Sequence, residues 1–76
     1  MRSENRTSGA KAIGRNVLRF MGERGMSVLD LSRASGVGRD AIYNYLYGRS
    51  EPRAVLLVRL ARGLGCDVND LLEGVE

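Results

Sequence analysis

The sequence predicts an all-α fold, a compact bundle of five helices, and three observations support this. Apolar residues recur every three or four positions along most of the chain. The pairs Ser27/Asp30 and Asp67/Asp70 have capping-box spacing where helices would begin, and glycines follow the apolar runs where helices would end. With 76 residues, the chain is long enough for one domain with a small core.

The first helix follows a polar opening. The segment MRSENRTSG has no helical period, so residues 1–9 are predicted to form a flexible N-terminal arm, and residues 10–76 to form the domain. From about residue 10, one face repeats at helical spacing until the chain reaches Gly25. The residues that share this face are Ile13, Val17, Phe20, Met21 and Arg24.

The second helix is predicted to begin after Ser27, since Ser27 and Asp30 form a capping-box pattern. Its inward residues are Leu31 and Ser32, and the small Ser32 is expected where the second and third helices come closest. Gly36 ends this helix, because glycine adopts the left-handed conformation that a helix end needs.

Three more helices complete the bundle. The third covers about residues 39–47, and Pro52 is well placed to open a fourth over residues 53–64. Asp67 caps a short fifth helix over residues 68–73. The second and third helices, joined by a tight glycine-containing turn, have the arrangement of a helix-turn-helix.

Two quoted stretches resemble the lambda-repressor/Cro-like helix-turn-helix family, also called the xenobiotic-response-element type. They are MSVLDLSRASGVGRDAIYNYLYGRSEP and LLVRLARGLGCDVNDLL. The spacings G-V-x-R-x-x-I-x-x-Y-x-x-G-x-x-x-P and L-A-x-x-L-G-x-x-x-x-x-L-L are specific in combination, and the resemblance covers about residues 13–72. It implies a five-helix bundle that binds double-stranded DNA as a sequence-specific, repressor-like transcriptional regulator, commonly as a homodimer on paired half-sites.

The distribution of charge agrees with a polyanionic partner. Residues 1–62 carry 12 basic and 5 acidic side chains, a net charge of +7, whereas residues 63–76 carry 4 acidic and no basic side chains. A basic body with an acidic end suggests one face for nucleic acid and a tail turned away from it. Solvated surface charge alone would give the same counts.

Several other functions find no support in the composition. The chain has no histidine, and its one cysteine, Cys66, has no base nearby in sequence and is expected to pack in the core. We therefore expect no enzymatic activity, no metal site and no cofactor. The longest apolar run, residues 54–58, is too short to span a membrane, and a cytoplasmic location is expected.

Helical geometry divides the third helix into two faces at 100° per residue. The inward residues are Ile42, Tyr45 and Leu46, with the Tyr45 hydroxyl reaching the surface. The outward residues are Asp40, Tyr43, Asn44 and Tyr47, with Arg39 at the exposed first turn. This outward face is the candidate contact surface.

The outward face carries side chains that can bind base edges in the major groove. Arg39 can donate to guanine O6 and N7, and the Asn44 amide can pair with adenine N6 and N7. Tyr43 would meet a thymine methyl group or donate to a phosphate. Asp40 would accept from cytosine N4, or it only favours the positive end of its helix.

Backbone phosphates are assigned to a second group of residues. Ser27 and the amides at the start of the second helix suit one phosphate. Tyr47, Arg49 and Arg53 suit others, although each arginine alone could be solvated surface charge.

Some positions depart from the family pattern and keep a second function open. The family usually has a glutamine where this chain has Val28 and Leu29, often a basic residue at Met21, and a serine cap at Gly38. A protein-interaction module on the same fold, or a protein partner that regulates the domain, is the alternative. Surplus apolar residues agree with an interface, and those proposed for a homodimer contact are Val55, Leu56, Val58 and Val75.

Overall fold

Five α-helices make up the part of the chain that the structure describes, which is the backbone of residues 2–75 and the side chains of residues 9–75 of a computed structural model. In chain order they are α1 (Arg2–Arg24), α2 (Val28–Ser35), α3 (Arg39–Leu46), α4 (Ala54–Leu64) and α5 (Val68–Leu71). This range contains no strand. The predicted all-α class and the order of five helices are confirmed.

The first helix begins earlier than the sequence indicates. α1 starts at Arg2, whereas a helical period is visible only from about residue 10. A polar segment carries no period, but it can extend a helix that the amphipathic segment has already nucleated. Gly9 already belongs to the domain, because it is buried and a Cβ placed there would lie 2.6 Å from a carboxylate oxygen of Glu51. Most side chains of the predicted flexible arm, residues 1–9, lie outside the described residues.

The other helix ends differ from prediction by one or two residues. Tyr47 is the C-cap of α3, and Arg53 is the N-cap of α4 and not its first helical residue. α5 ends at Leu71, earlier than the predicted residue 73. The backbone N–H of Asp67 donates to the carboxylate of Asp70 at 3.1 Å, as the capping pattern predicts.

Each of the five helices sends at least one fully buried apolar side chain to a common core. These side chains are Val17 of α1, Leu31 of α2, Ile42 of α3, Leu60 and Leu64 of α4, and Leu71 of α5. Removing their surface from water is the main favourable contribution to folding. Since the core draws on every helix, each helix is held in place by packing against its neighbours.

Two serines of α2 hold the turn between α2 and α3. The Ser32 hydroxyl donates to the Val37 carbonyl at 2.7 Å, and the Ser35 hydroxyl accepts from the Val37 N–H at 3.1 Å. Gly36, between Ser35 and Val37, has φ of 75°, and this left-handed conformation reverses the chain direction. The Val37 side chain is buried in the core. The turn is therefore fixed by both its backbone and its side chain.

Ser32 is half-buried, and its hydroxyl bonds the turn between α2 and α3. A second small residue of α2, the buried Ser35, lies against α4. A Cβ placed on Gly63 of α4 would lie 2.9 Å from the Ser35 Cβ. Small residues therefore also allow α2 to lie close to α4.

α1 reaches the far end of the chain through one amide. The Asn16 side chain donates to the carbonyl oxygens of Leu71 at 2.9 Å and Glu73 at 2.8 Å. These carbonyls lie at the end of α5, where a helix has no backbone partners for its last carbonyl groups. Asn16 thereby closes α5 and ties the C-terminal segment to α1.

α1 also packs closely on the end of α3. A Cβ placed on Gly14 would lie 2.3 Å from the carbonyl oxygen of Tyr45 and 3.2 Å from that of Leu46. No side chain fits in that space, so Gly14 sets the distance between α1 and α3.

Gly14→Ala is therefore expected to destabilise the protein by about 1–3 kcal/mol or more, because two backbones must separate. Gly22→Ala is the matched control, since Gly22 lies in the same helix with no atom within 4 Å of an added Cβ. That change should stabilise α1 by about 0.5–1 kcal/mol. Denaturant unfolding of both variants measures the difference, and equal stabilities would contradict the close α1–α3 contact.

Candidate nucleic-acid interface

The two faces of α3 largely follow the helical prediction. Ile42 is fully buried and Tyr45 is 6% exposed, which confirms both as core residues. The exposed side chains are Arg39, Asp40, Tyr43 and Tyr47. Asn44 is half-buried, so it lies at the border between the two faces and is less outward than predicted.

The first turn of α3 carries the two charged candidates. Gly38 is the N-cap, with extended backbone (φ −62°, ψ 148°) and no side chain to bond the first N–H groups of the helix. Arg39 and Asp40 follow it and are both exposed. The Asp40 carboxylate lies at the positive end of the helix, where a negative charge is favourable.

The end of α3 carries a stack of three planar groups, which we call the Tyr–Tyr–Arg stack: Tyr43, Tyr47 and Arg49. The two tyrosine rings have centroids 6.3 Å apart and are inclined by 20°. The Arg49 guanidinium carbon lies 5.0 Å from the centre of the Tyr47 ring. Residues four apart on a helix are neighbours, so the tyrosine pair could be found in the sequence. The arginine could not, because its position depends on the turn after α3.

The start of α2 is already occupied by a carboxylate. The Ser27 N–H donates to the Asp30 carboxylate at 3.0 Å, and the Asp30 N–H donates to the Ser27 hydroxyl oxygen at 3.1 Å. The hydrogen bond from the Ser27 backbone N–H, and after it the one from the Ser27 side chain, lowers the pKa of the Asp30 carboxyl from its ordinary value. Ser27 is exposed as a phosphate contact requires, but a negative charge lies beside it.

Two arginines of α1 pair with acidic side chains. Arg19 pairs with Glu73 at 3.7 Å, and Arg24 pairs with Glu23 at 3.4 Å. Both guanidinium groups also lie over the Phe20 ring, at 4.8 and 5.0 Å. The acidic end of the chain is thus in contact with the second half of α1.

The cations near α3 make no such pairs. Among the described side chains, Arg39, Arg49 and Arg53 form no salt bridge, and all three are exposed. Lys11 of α1 joins this group, because its Cγ lies 2.9 Å from where a Cβ on Gly48 would be. No sequence pattern marks Lys11, since it lies far along the chain from the loop that it contacts.

The apolar residues proposed for a dimer contact separate into two pairs. Val55 is 64% exposed and Val58 is 37% exposed. Leu56 and Val75 are partly buried and pack against the core, so their apolar character needs no partner. Leu18 and Leu29 are also exposed.

The remaining reactive group lies away from α3. Cys66 is half-buried against the core, where burial first and the Asp70 carboxylate second raise the pKa of its thiol. Within residues 9–75, no group of three or more acidic or cysteine side chains could hold a metal ion. No helix of the described chain has the length and apolar character needed to cross a membrane.

Comparisons with known proteins agree with this geometry. The family model of the Cro/C1-type HTH DNA-binding domain matches residues 16–76. The crystal structure of the clp gene regulator ClgR from C. glutamicum is similar, with a TM-score of 0.78 and 27% sequence identity over 87% of this chain and 86% of that chain. No curated protein matches the chain.

The cap at Asp30 should make folding sensitive to acid. Because its pKa is lowered in the folded protein, the bonded carboxylate contributes stability above the unfolded pKa and loses it as the pH falls through the folded pKa. Between about pH 5 and pH 2, the free energy of unfolding should fall less in Asp30→Asn than in the wild type. The matched control, Asp40→Asn, removes a carboxylate that makes no capping bond. Denaturation across this pH range measures the effect, and identical pH profiles for Asp30→Asn and the wild type would contradict it.

Proposed function

The chain belongs to the Cro/C1-type family of helix-turn-helix DNA-binding domains, and we propose that it regulates transcription by placing α3 in the major groove of double-stranded DNA. The observation that carries this proposal is the division of α3. One face is anchored by buried Ile42 and Tyr45, and the other presents arginine and tyrosine at the surface, with the half-buried Asn44 at its edge. The similar protein ClgR is itself a gene regulator.

Base reading is assigned to the outward residues of α3. Arg39 has the planar donor fork that fits guanine O6 and N7, and its place in the first turn lets it extend beyond the helix end. The amide of Asn44 suits adenine, and its half-buried position limits the directions from which it can approach a base. Tyr43 is 45% exposed and meets a thymine methyl group or a phosphate. Asp40 either accepts from cytosine N4 or serves only its own helix.

Phosphate contacts are assigned around both ends of the helix-turn-helix. Arg49 and Arg53 lie on the loop after α3, are exposed and have no salt-bridge partner within the described side chains. Tyr47 is 64% exposed beside them. Ser27 lies at the start of α2, where the Asp30 carboxylate would repel a phosphate. The assignment of Ser27 is therefore the weakest of the four.

The phosphate assignment predicts how binding depends on salt. DNA affinity should fall as salt rises, because bound cations are released from the DNA. Arg49→Ala and Arg53→Ala should each weaken binding to all sequences and reduce the salt slope by about one. Arg62→Ala is the matched control, since Arg62 is exposed at the opposite end of α4. Titration of duplex DNA at several salt concentrations measures these slopes.

A wild-type protein with no salt-dependent affinity for DNA would contradict the proposed function and favour the protein-interaction module. A change in base preference without a change in slope would contradict the phosphate role of the substituted arginine.

Asn44→Ala tests base reading directly. Stability should change by no more than about 0.5 kcal/mol, while discrimination at one base pair, expected to be A·T, should fall by about 1–3 kcal/mol. Asn69→Ala, the same change at an exposed position of α5, should alter neither the stability nor the discrimination. The measurement is binding to selected DNA and to its single-base variants, alongside thermal melting. A loss of several kcal/mol of stability would mean that Asn44 belongs to the core.

We also infer that the regulator acts as a weak homodimer strengthened by DNA. Val55 and Val58 lie three residues apart and are therefore neighbours on the surface of α4. A single small domain contacts few base pairs, so pairing raises specificity. Leu56 and Val75 are not needed for this contact, since the core already covers part of each.

Val55→Asp and Val58→Asp should each abolish cooperative binding to paired half-sites. The affinity of each variant for a single half-site should match that of a control variant. The control is Leu18→Asp, which adds the same charge at an exposed apolar residue of α1. Sedimentation with and without DNA measures the stoichiometry. A strict monomer at high concentration that also binds paired sites without cooperativity would rule out the dimer.

A further inference from the structure

The Tyr–Tyr–Arg stack is an ordered arrangement on a surface where the fold does not require one. Tyr43 is 45% exposed and Tyr47 is 64% exposed, so neither ring is a core residue. The Arg49 guanidinium nevertheless lies over one face of Tyr47. Long arginine side chains on an open surface usually sample many rotamers, and their ordering on binding costs free energy. A stack at this position restricts that freedom in advance.

The backbone beneath Arg49 is also fixed. Its N–H donates to the carbonyl oxygen of Asn44 at 2.9 Å, and the Gly48 N–H donates to that of Tyr45 at 3.0 Å. These bonds tie the turn to the last residues of α3. Arg49 is thus held at both ends, by its backbone to α3 and by its guanidinium group to the Tyr47 ring.

The direction of the donors makes this arrangement suitable for phosphate. All the N–H groups of a guanidinium lie in its plane, so contact between its face and an aromatic ring leaves them available. A phosphate oxygen can approach in that plane while the ring remains in contact. The Tyr47 hydroxyl takes no part in this geometry, because the contact is made by the ring.

We propose that Tyr47 is a positioning residue that acts through Arg49, its ring holding the guanidinium in the orientation that contacts a DNA phosphate. This inference rests on the proposed function and deepens it. In place of a direct contact between the Tyr47 hydroxyl and a DNA phosphate, Tyr47 acts indirectly, through the contact of its ring with Arg49. Tyr43 extends the same stack, because its ring packs against the Tyr47 ring.

The test compares Tyr47→Phe, Tyr47→Leu, Arg49→Ala and the double variant Tyr47→Leu/Arg49→Ala. Phenylalanine keeps the ring and removes the hydroxyl, whereas leucine removes the ring. Affinity for a random-sequence duplex and for a selected duplex is measured over a series of salt concentrations. Thermal melting shows whether each variant folds, and all should melt near the wild type because both side chains are exposed.

Tyr47→Leu is expected to weaken binding to both duplexes by about two- to fivefold. The salt slope should stay at the wild-type value, because Arg49 keeps its charge. Tyr47→Phe should bind as the wild type does. In the Arg49→Ala background, Tyr47→Leu should have no further effect, because nothing is left to position.

A measurement on the free protein, without DNA, tests the same inference. In the free wild-type protein, ring currents from Tyr47 should shift the NMR signals of the Arg49 side chain, and Tyr47→Leu should remove that shift while Tyr47→Phe retains it.

Three results would overturn the inference alone: wild-type affinity for Tyr47→Leu, equal losses for Tyr47→Phe and Tyr47→Leu, or a Tyr47→Leu loss that persists in the Arg49→Ala background. The second of these would restore the direct hydroxyl contact. If the wild-type protein itself showed no salt-dependent DNA binding, the proposed function would fail and the inference with it.

Discussion

The burial of Ile42 and Tyr45 is the constraint on which the rest of the molecule depends. These two side chains attach α3 to a core to which all five helices contribute. Because residues on a helix are separated by 100°, fixing one face inward fixes the other outward. The position of Gly14 brings α1 within contact of the last carbonyl groups of α3, so the helix cannot rotate without separating two backbones. The outward residues therefore owe their exposure to the core and not to their own polarity.

The turn before α3 adds the direction in which the helix points. Val37 is held by hydrogen bonds from Ser32 and to Ser35, and its side chain is buried. A flexible turn would let the first turn of α3 move relative to α2. Here the serines of α2 set where Gly38 lies, and hence where Arg39 begins. Precise placement of donors relative to one another is what discrimination between bases requires, since each hydrogen bond depends on distance and angle.

Within residues 9–75, the arginines around α3 are not paired with carboxylates. At the second half of α1, Arg19 is paired with Glu73 near the acidic end of the chain. Around α3, Arg39, Arg49 and Arg53 have no such partner within the described side chains. A cation that forms no salt bridge keeps more of its attraction for phosphate. The stack on Tyr47 fits this pattern, because it orders a cation by an uncharged ring and leaves its charge uncompensated.

The sequence by itself determined the helical class, the starts of α2 and α5 and the inward face of α3, because caps and helical periods are short-range features. Tertiary structure decided which remaining surfaces are covered. Leu56 and Val75 looked surplus along the chain but pack on the core, and Asn16 reaches Leu71 across 55 residues. Arg49 lies over Tyr47 only because the turn after α3 folds back. Such contacts join residues whose separation in sequence carries no period, so no local pattern could predict them.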